Sequence, residues 1–149
     1  MIITKSEPFT KEEIGKLREL FDVYIKTVID IEKKICSAGA DRHYESEKIL
    51  LDDGFKQANL WGGGIDIETK IIDCNSFINV RPADKNTSNE IQNEELRNKF
   101  EKLSKYFFPV LHRQFYHQLP AYRQLKKEPL LFHKYPHVAQ KFLHCEFFP

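Results

Sequence analysis

Apolar residues recur at helical spacing near the start of the chain and then switch to alternation. Ile14, Leu17, Leu20, Phe21 and Tyr24 follow one helix face, which predicts a helix over about residues 11–23. Thr10 stands before it with Glu13 three positions on, the capping-box arrangement that satisfies the first amides of a helix. The apolar start MIIT suits an edge strand. Beyond the helix, Ile25, Thr27, Ile29 and Ile31 alternate and are β-branched, so a strand is expected, with Glu32-Lys33-Lys34 as a hairpin turn and Ile35, Cys36 and Ala38 in the return strand. A helix continued through Val28 and Ile31 is the alternative. Gly39 ends the element in either case.

Residues 41–51 read as a short helix, with Asp41 as N-cap, Ile49-Leu50-Leu51 turned inward and Asp52-Asp53-Gly54 closing it. Leu60-Trp61-Gly62-Gly63-Gly64 opens the next strand region. Residues 65–72 and 76–80 then read as two strands that pair, until Pro82 stops the second. A polar loop over 83–89 leads to a last amphipathic helix from 94 to about 108, striped by Leu96, Phe100, Leu103 and Phe107. The order implies an α+β fold: a small, mostly antiparallel sheet with two or three helices packed on one face. Residues 49–82 form its centre, with Leu50, Leu51, Trp61, Ile78 and Val80 as core.

Composition divides the chain. At 149 residues one domain is expected. Residues 1–105 carry 17 Lys+Arg against 20 Asp+Glu, whereas residues 106–149 carry 6 against 2. The last segment also holds five of the six His, seven of the twelve Phe and four of the six Tyr, and lacks Ile, Asn, Asp, Gly, Ser and Thr. The expected organisation is therefore an α+β domain over 1–108 and a basic, aromatic extension over 109–149, irregular or weakly helical because five prolines interrupt it. Three readings fit the extension. It is an arm for RNA or another anionic partner, the only route by which nucleic acid enters; or a metal arm using His133, His137 and His144; or a frameshifted terminus, which its composition favours.

The three cysteines are odd in number and widely spaced, so free thiols in a reducing compartment are expected rather than a disulfide framework. No basic segment followed by an apolar run opens the chain, and no apolar run approaches 18 residues. A cytoplasmic chain without a signal peptide or membrane association is the expectation.

Candidate chemistry is sparse. Trp61 beside three glycines suits stacking on a ring ligand, although a lone Trp in such a place is more often a core anchor. Arg81 at a strand end suits bidentate capture of a phosphate or carboxylate, and equally a pairing with Asp52, Asp53 or Glu47. Asn86 belongs to the same surface. His43, Glu47 and Asp53, with Glu45 and Asp52, form an acidic group with one histidine that suits acid–base work, or simply a solvated helix face. No spacing matches a metal loop, and Gly62-Gly63-Gly64 lacks the Lys-Ser/Thr of a phosphate-binding loop. Neither metal nor cofactor is expected.

Several segments resemble, in order, an uncharacterised bacterial family, domain of unknown function 5674. They are the opening strand and capped helix, VIDIEKKI before a Gly, His43 to Glu47, Leu50-Leu51-x-Asp53-Gly54-x-Lys56-Gln57, Asn59-Leu60-Trp61-Gly62, Ile78-Asn79-Val80-Arg81-Pro82 and Glu94-Glu95-Leu96-Arg97. The resemblance covers about residues 1–105. The chain departs from the family pattern at Phe55, where Ser is usual, and in Ala83-Asp84-Lys85-Asn86-Thr87-Ser88, where Ser-Gln-x-Asn-Arg-Ser is typical. The family carries no activity to transfer. The residues themselves suggest a binding or interaction module for an anion or a protein, through Trp61, Arg81 and Asn86. The alternative is a small hydrolase or nuclease-like, toxin-type enzyme using His43, Glu47, Asp53 and Arg81.

Overall fold

The computed structural model describes residues 1–21 and 23–111. Strand β1 (Ile3–Lys5) leads into helix α1 (Lys11–Leu20). The capping box forms as the sequence suggests: the Glu13 amide donates to Thr10 Oγ1 at 3.2 Å and the Thr10 amide to Glu13 Oε2 at 2.7 Å. Lys5 Nζ reaches the same carboxylate at 2.9 Å, tying the helix start to β1. The helix stops three residues short of the expected end. The Val23 carbonyl already accepts from the Ile67 amide at 2.7 Å, which commits the chain to the sheet.

The expected hairpin is present as β2 (Tyr24–Asp30) and β3 (Ile35–Ala38). Its turn is built by Asp30, whose Oδ1 accepts from the amides of Glu32 (2.9 Å) and Lys33 (2.7 Å), and by Lys34 in the left-handed region at φ 54°. Helix α2 (His43–Asp52) follows. It begins two residues later than the sequence suggests, with Arg42 rather than Asp41 in the capping place. Glu45 supplies the cap by accepting from the Arg42 amide at 3.1 Å. Gly54, at φ 88°, closes the helix as expected.

The next strands differ from the expected pair over 65–72 and 76–80. β4 (Leu60–Asp66) contains the glycine run, and β5 is only Ile72–Asp73. Residues 66–70 form the turn between them, because Asp66 Oδ1 captures the amides of Glu68 (2.9 Å) and Thr69 (2.7 Å). Residues 76–80 hold a 3₁₀ turn, Phe77–Asn79, instead of a strand. Helix α3 (Glu94–Phe107), capped by Asn93 through the Leu96 amide at 3.0 Å, completes the unit.

The α+β class stands: five strands in the order β1-β3-β2-β4-β5, every neighbouring pair antiparallel. The helices, however, divide between the two faces of the sheet. Val28 and Leu60 pack with Leu50 of α2, joined by Ile35, Phe55 and Ile78. On the opposite face the register aligns Ile25, Thr27 and Ile29 with Ile65, Gly63 and Trp61, and Phe100 of α3 lies over Gly63. Phe9 docks against the end of α3, its amide donating to the Phe107 carbonyl at 2.8 Å and its ring stacked on Phe108 at 4.7 Å. A single central strand covered on both faces explains why β2 is apolar and buried through most of its length.

The glycines of β4 are required by close approach. A Cβ at Gly63 would meet the Asp73 carbonyl at 2.3 Å and the Phe100 ring at 2.8 Å, and one at Gly62 would meet Ser76 Cβ at 2.6 Å. Cys36 and Cys74 are free thiols. No helix among the described residues is long and apolar enough to cross a membrane. His133, His137 and His144, the residues of the metal-arm reading, and the rest of the extension from 112 on lie outside the described residues.

Candidate functional site

β4 runs past the end of β5, so the outward backbone groups of Leu60 and Gly62 have no strand to pair with. Two side chains take its place. Asn79, fully buried, accepts from the Gly62 amide through Oδ1 at 2.8 Å and donates from Nδ2 to the Gly62 carbonyl at 2.9 Å. The same Nδ2 reaches the carbonyls of Cys74 (3.1 Å) and Asn89 (2.9 Å). Arg81 continues the edge: Nη2 donates to the Leu60 carbonyl at 2.6 Å and Nη1 to that of Gln57. This is why residues 76–80 are not a strand. They meet β4 with side chains rather than with backbone.

Trp61, Arg81 and Asn86, the expected ligand surface, do come together, but facing inward. Trp61 is 3% exposed, and the Arg81 guanidinium lies 4.0 Å above its ring. Burial lowers the pKa of Arg81, against the raising effects of Asp84 and Glu47. Its nearest carboxylate is Asp84, 4.0 Å away, rather than Asp52 or Asp53. Asn86 is buried as well. Its Nδ2 reaches the carbonyls of Asn79 (2.9 Å), Ser88 (2.8 Å) and Glu90 (2.9 Å), while Oδ1 accepts from the Gln92 amide at 2.8 Å. All three side chains hold the loop over 74–92 in place.

The expected acid–base group does not converge. His43 opens α2, and its Nε2 lies 2.8 Å from the Gly63 carbonyl, which can only accept, so Nε2 carries the proton. Burial first, and Lys26 second, lower its pKa; the Gly63 carbonyl and Asp73 oppose them. Asp53 is exposed at the far end of the same helix, about 15 Å along the axis from its rise per residue. Glu47 accepts from Gln57 Nε2 at 3.2 Å. Arg81 stacks on Trp61 and donates to the Gln57 carbonyl, so it and Glu47 meet the same residue, while His43 and Asp53 stand at opposite ends of α2. Among the described residues no three of His, Cys, Asp and Glu form a metal-ligand set.

Pattern reading missed an outward-facing group. Leu50, Trp61 and Ile78 point into the structure as expected, but Val80 is 41% exposed and Leu51 38%, so neither is core. Phe77 is 83% exposed on the 3₁₀ turn, and Tyr44 is exposed on α2, against which the turn packs. The turn is held from several sides. Ser76 Oγ accepts from the Ile78 amide at 3.4 Å, the Ser76 amide donates to Asn89 at 2.9 Å, and Asn79 follows directly.

The segment that carries this clamp, Ile78 to Pro82, lies within a family match. A family model described as protein of unknown function, DUF5674, matches residues 1–107. The chain belongs to DUF5674. The match takes in every element from β1 to α3 and therefore the Asn79–Arg81 edge, the Asn86 loop and the exposed Phe77. No curated protein and no solved structure matches the chain.

Proposed function

We propose that this DUF5674 chain is a protein-binding module with Phe77 as its anchor. The supporting observation is the contrast within one turn. Asn79, Arg81, Asn86 and Ser76 fix the backbone on either side, yet the Phe77 ring is left 83% exposed. A rigidly presented aromatic loses little conformational entropy when it enters a partner's pocket, and burying it is worth about 1.5–3 kcal/mol. Val80 and, on the helix against which the turn packs, Tyr44 and Leu51 are exposed as well. The partner is a protein that offers an apolar pocket. Trp61, Arg81 and Asn86 enter this reading as the residues that hold the turn.

The module acts, in this reading, in a bacterial cytoplasm, where Cys36 and Cys74 stay reduced, and comprises residues 1–108 with 109–149 as an appended segment. The enzyme alternative needs His43, Glu47, Asp53 and Arg81 at one point; Glu47 and Arg81 both meet Gln57, but His43 and Asp53 stand at opposite ends of α2, which counts against it.

The test is comparative capture. Full-length chain and its Phe77→Ser variant are immobilised and exposed to lysate of the source cell, with matched unfolding curves for the two. A partner retained by the native chain and reduced about 30-fold by the variant, as a loss of 2 kcal/mol dictates, is expected. Identical protein profiles from the two surfaces overturn the proposal.

A further inference from the structure

The clamp at the start of β4 carries a positive charge that no carboxylate meets at hydrogen-bond distance among the described residues. The Arg81 side chain is 9% exposed, and Asp84 stands 4.0 Å from its Nη1 on the exposed turn Pro82–Asp84. The two bonds that the guanidinium makes, from Nη2 to Leu60 and from Nη1 to Gln57, go to neutral carbonyls. A buried charge is ordinarily paired and hydrogen-bonded. Two donors are also left over in the same stack. Arg81 Nε and Trp61 Nε1 are both buried, and neither has an acceptor among the described residues. Buried donors without acceptors are rare and costly. These two belong to groups in contact, since the guanidinium carbon lies 4.0 Å from the centre of the Trp61 ring. A cation with spare N–H donors is the chemistry that takes an oxyanion.

We propose that the Arg81–Trp61 stack is a receptor for one small monocarboxylate, which displaces Asp84 and accepts from Arg81 Nε–H and Trp61 Nε1–H. Asp84 is suited to give way. Its side chain is 45% exposed and meets Arg81 only at 4.0 Å, and exposed pairs of that kind hold weakly. The turn that carries it is anchored at its base, where the Arg81 amide donates to the Asn86 carbonyl at 2.7 Å and the Asn86 amide to the Arg81 carbonyl at 3.1 Å. Its tip therefore moves aside without undoing the clamp. Charge selects a monoanion. One guanidinium balances one negative charge, and Glu47 already adds its own field at Arg81, so a dianion is left partly uncompensated. The receptor stands whether or not Phe77 meets a partner.

The experiment is a titration of the full chain with sodium acetate at constant ionic strength, followed by NMR. Trp61 Nε1–H is the one indole signal of the chain, and the Arg81 Nε–H signal is assigned by its absence in Arg81→Lys. Both signals are expected to move and to saturate at one shared midpoint. In Asp84→Asn, which removes the competing carboxylate from an exposed turn, that midpoint falls about two- to fivefold. In Arg81→Lys, followed on Trp61 alone, it rises at least about tenfold. Phosphate, dianionic at about pH 8, binds more weakly than acetate. Shifts that grow without saturating, or a midpoint unchanged in Asp84→Asn or in Arg81→Lys, overturn the receptor. Phosphate binding tighter than acetate overturns its assignment to a monocarboxylate.

Discussion

Asn79 gives Gly62 both of the hydrogen bonds that a neighbouring strand would supply, accepting from its amide at 2.8 Å and donating to its carbonyl at 2.9 Å. Replacing Asn79 with Ala strands these two groups in a buried place, while the carbonyls of Cys74 and Asn89 keep the amides of Ile91 and Ser76. At about 1–3 kcal/mol for an unsatisfied buried group, partly relaxed, the loss is about 3–4 kcal/mol. Urea unfolding followed by circular dichroism measures it. A loss under about 1 kcal/mol would show that the edge finds other partners.

The glycines of the chain divide sharply by what surrounds them. Gly63→Ala brings a methyl group within 2.3 Å of the Asp73 carbonyl and 2.8 Å of Phe100, so it should destabilise by about 3 kcal/mol or more. Gly15 lies inside α1 with nothing within 4 Å of an added Cβ. Gly15→Ala should stabilise by about 0.5–1 kcal/mol. Thermal unfolding of the two variants beside the native chain checks both signs together.

The single Trp reports on its own cover. Arg81→Lys keeps the charge but loses the planar guanidinium that stacks at 4.0 Å and bridges Leu60 to Gln57. Trp61 emission should shift to longer wavelength as the ring becomes wetter, and stability should fall by about 1–2 kcal/mol. Unchanged emission would mean that Trp61 is buried without help from Arg81.

Phe77→Ser removes a ring that touches little of its own fold, so stability should change by no more than about 0.5 kcal/mol. Differential scanning calorimetry separates this from the binding defect expected of the same variant. A larger loss would make Phe77 part of the core and undercut its role as an anchor.

Cys74 is half-buried, and burial, followed by the nearby Glu101 carboxylate, pushes its pKa up to about 12. At pH 8 about one thiol in ten thousand is then ionised, against about one in four for a free cysteine. Alkylation of the folded chain, mapped by peptide mass, should leave Cys74 largely unmodified while an unfolded control reacts fully.

The hairpin of β2 and β3 and helix α3 were legible because each repeats one period long enough to be unambiguous. Ile25, Thr27 and Ile29 alternate; Phe100, Leu103 and Phe107 recur at helical spacing. Residues 76–80 were misread for a specific reason. Ser76, Ile78 and Val80 alternate as strand residues do, but the Asn79 amide competes with the backbone ladder and wins, which turns the chain and throws Phe77 outward. Trp61, Arg81 and Asn86 were recognisable as a group. Which way they face depends on how β4 ends, and that is set by contacts 17 to 24 positions away in sequence. The division of helices between the two sheet faces was illegible for a related reason, since Gly62 and Gly63 carry no side chain whose polarity would mark a face.

An uncovered length of strand edge is a template on which a second chain can add itself, hydrogen bond by hydrogen bond. Asn79 and Arg81 occupy that template at Leu60 and Gly62, and neither can be extended by another strand, because side chains rather than a continuous backbone fill the positions. The clamp is thus also a guard against self-association, placed where a run of three small residues would otherwise leave the sheet open to growth.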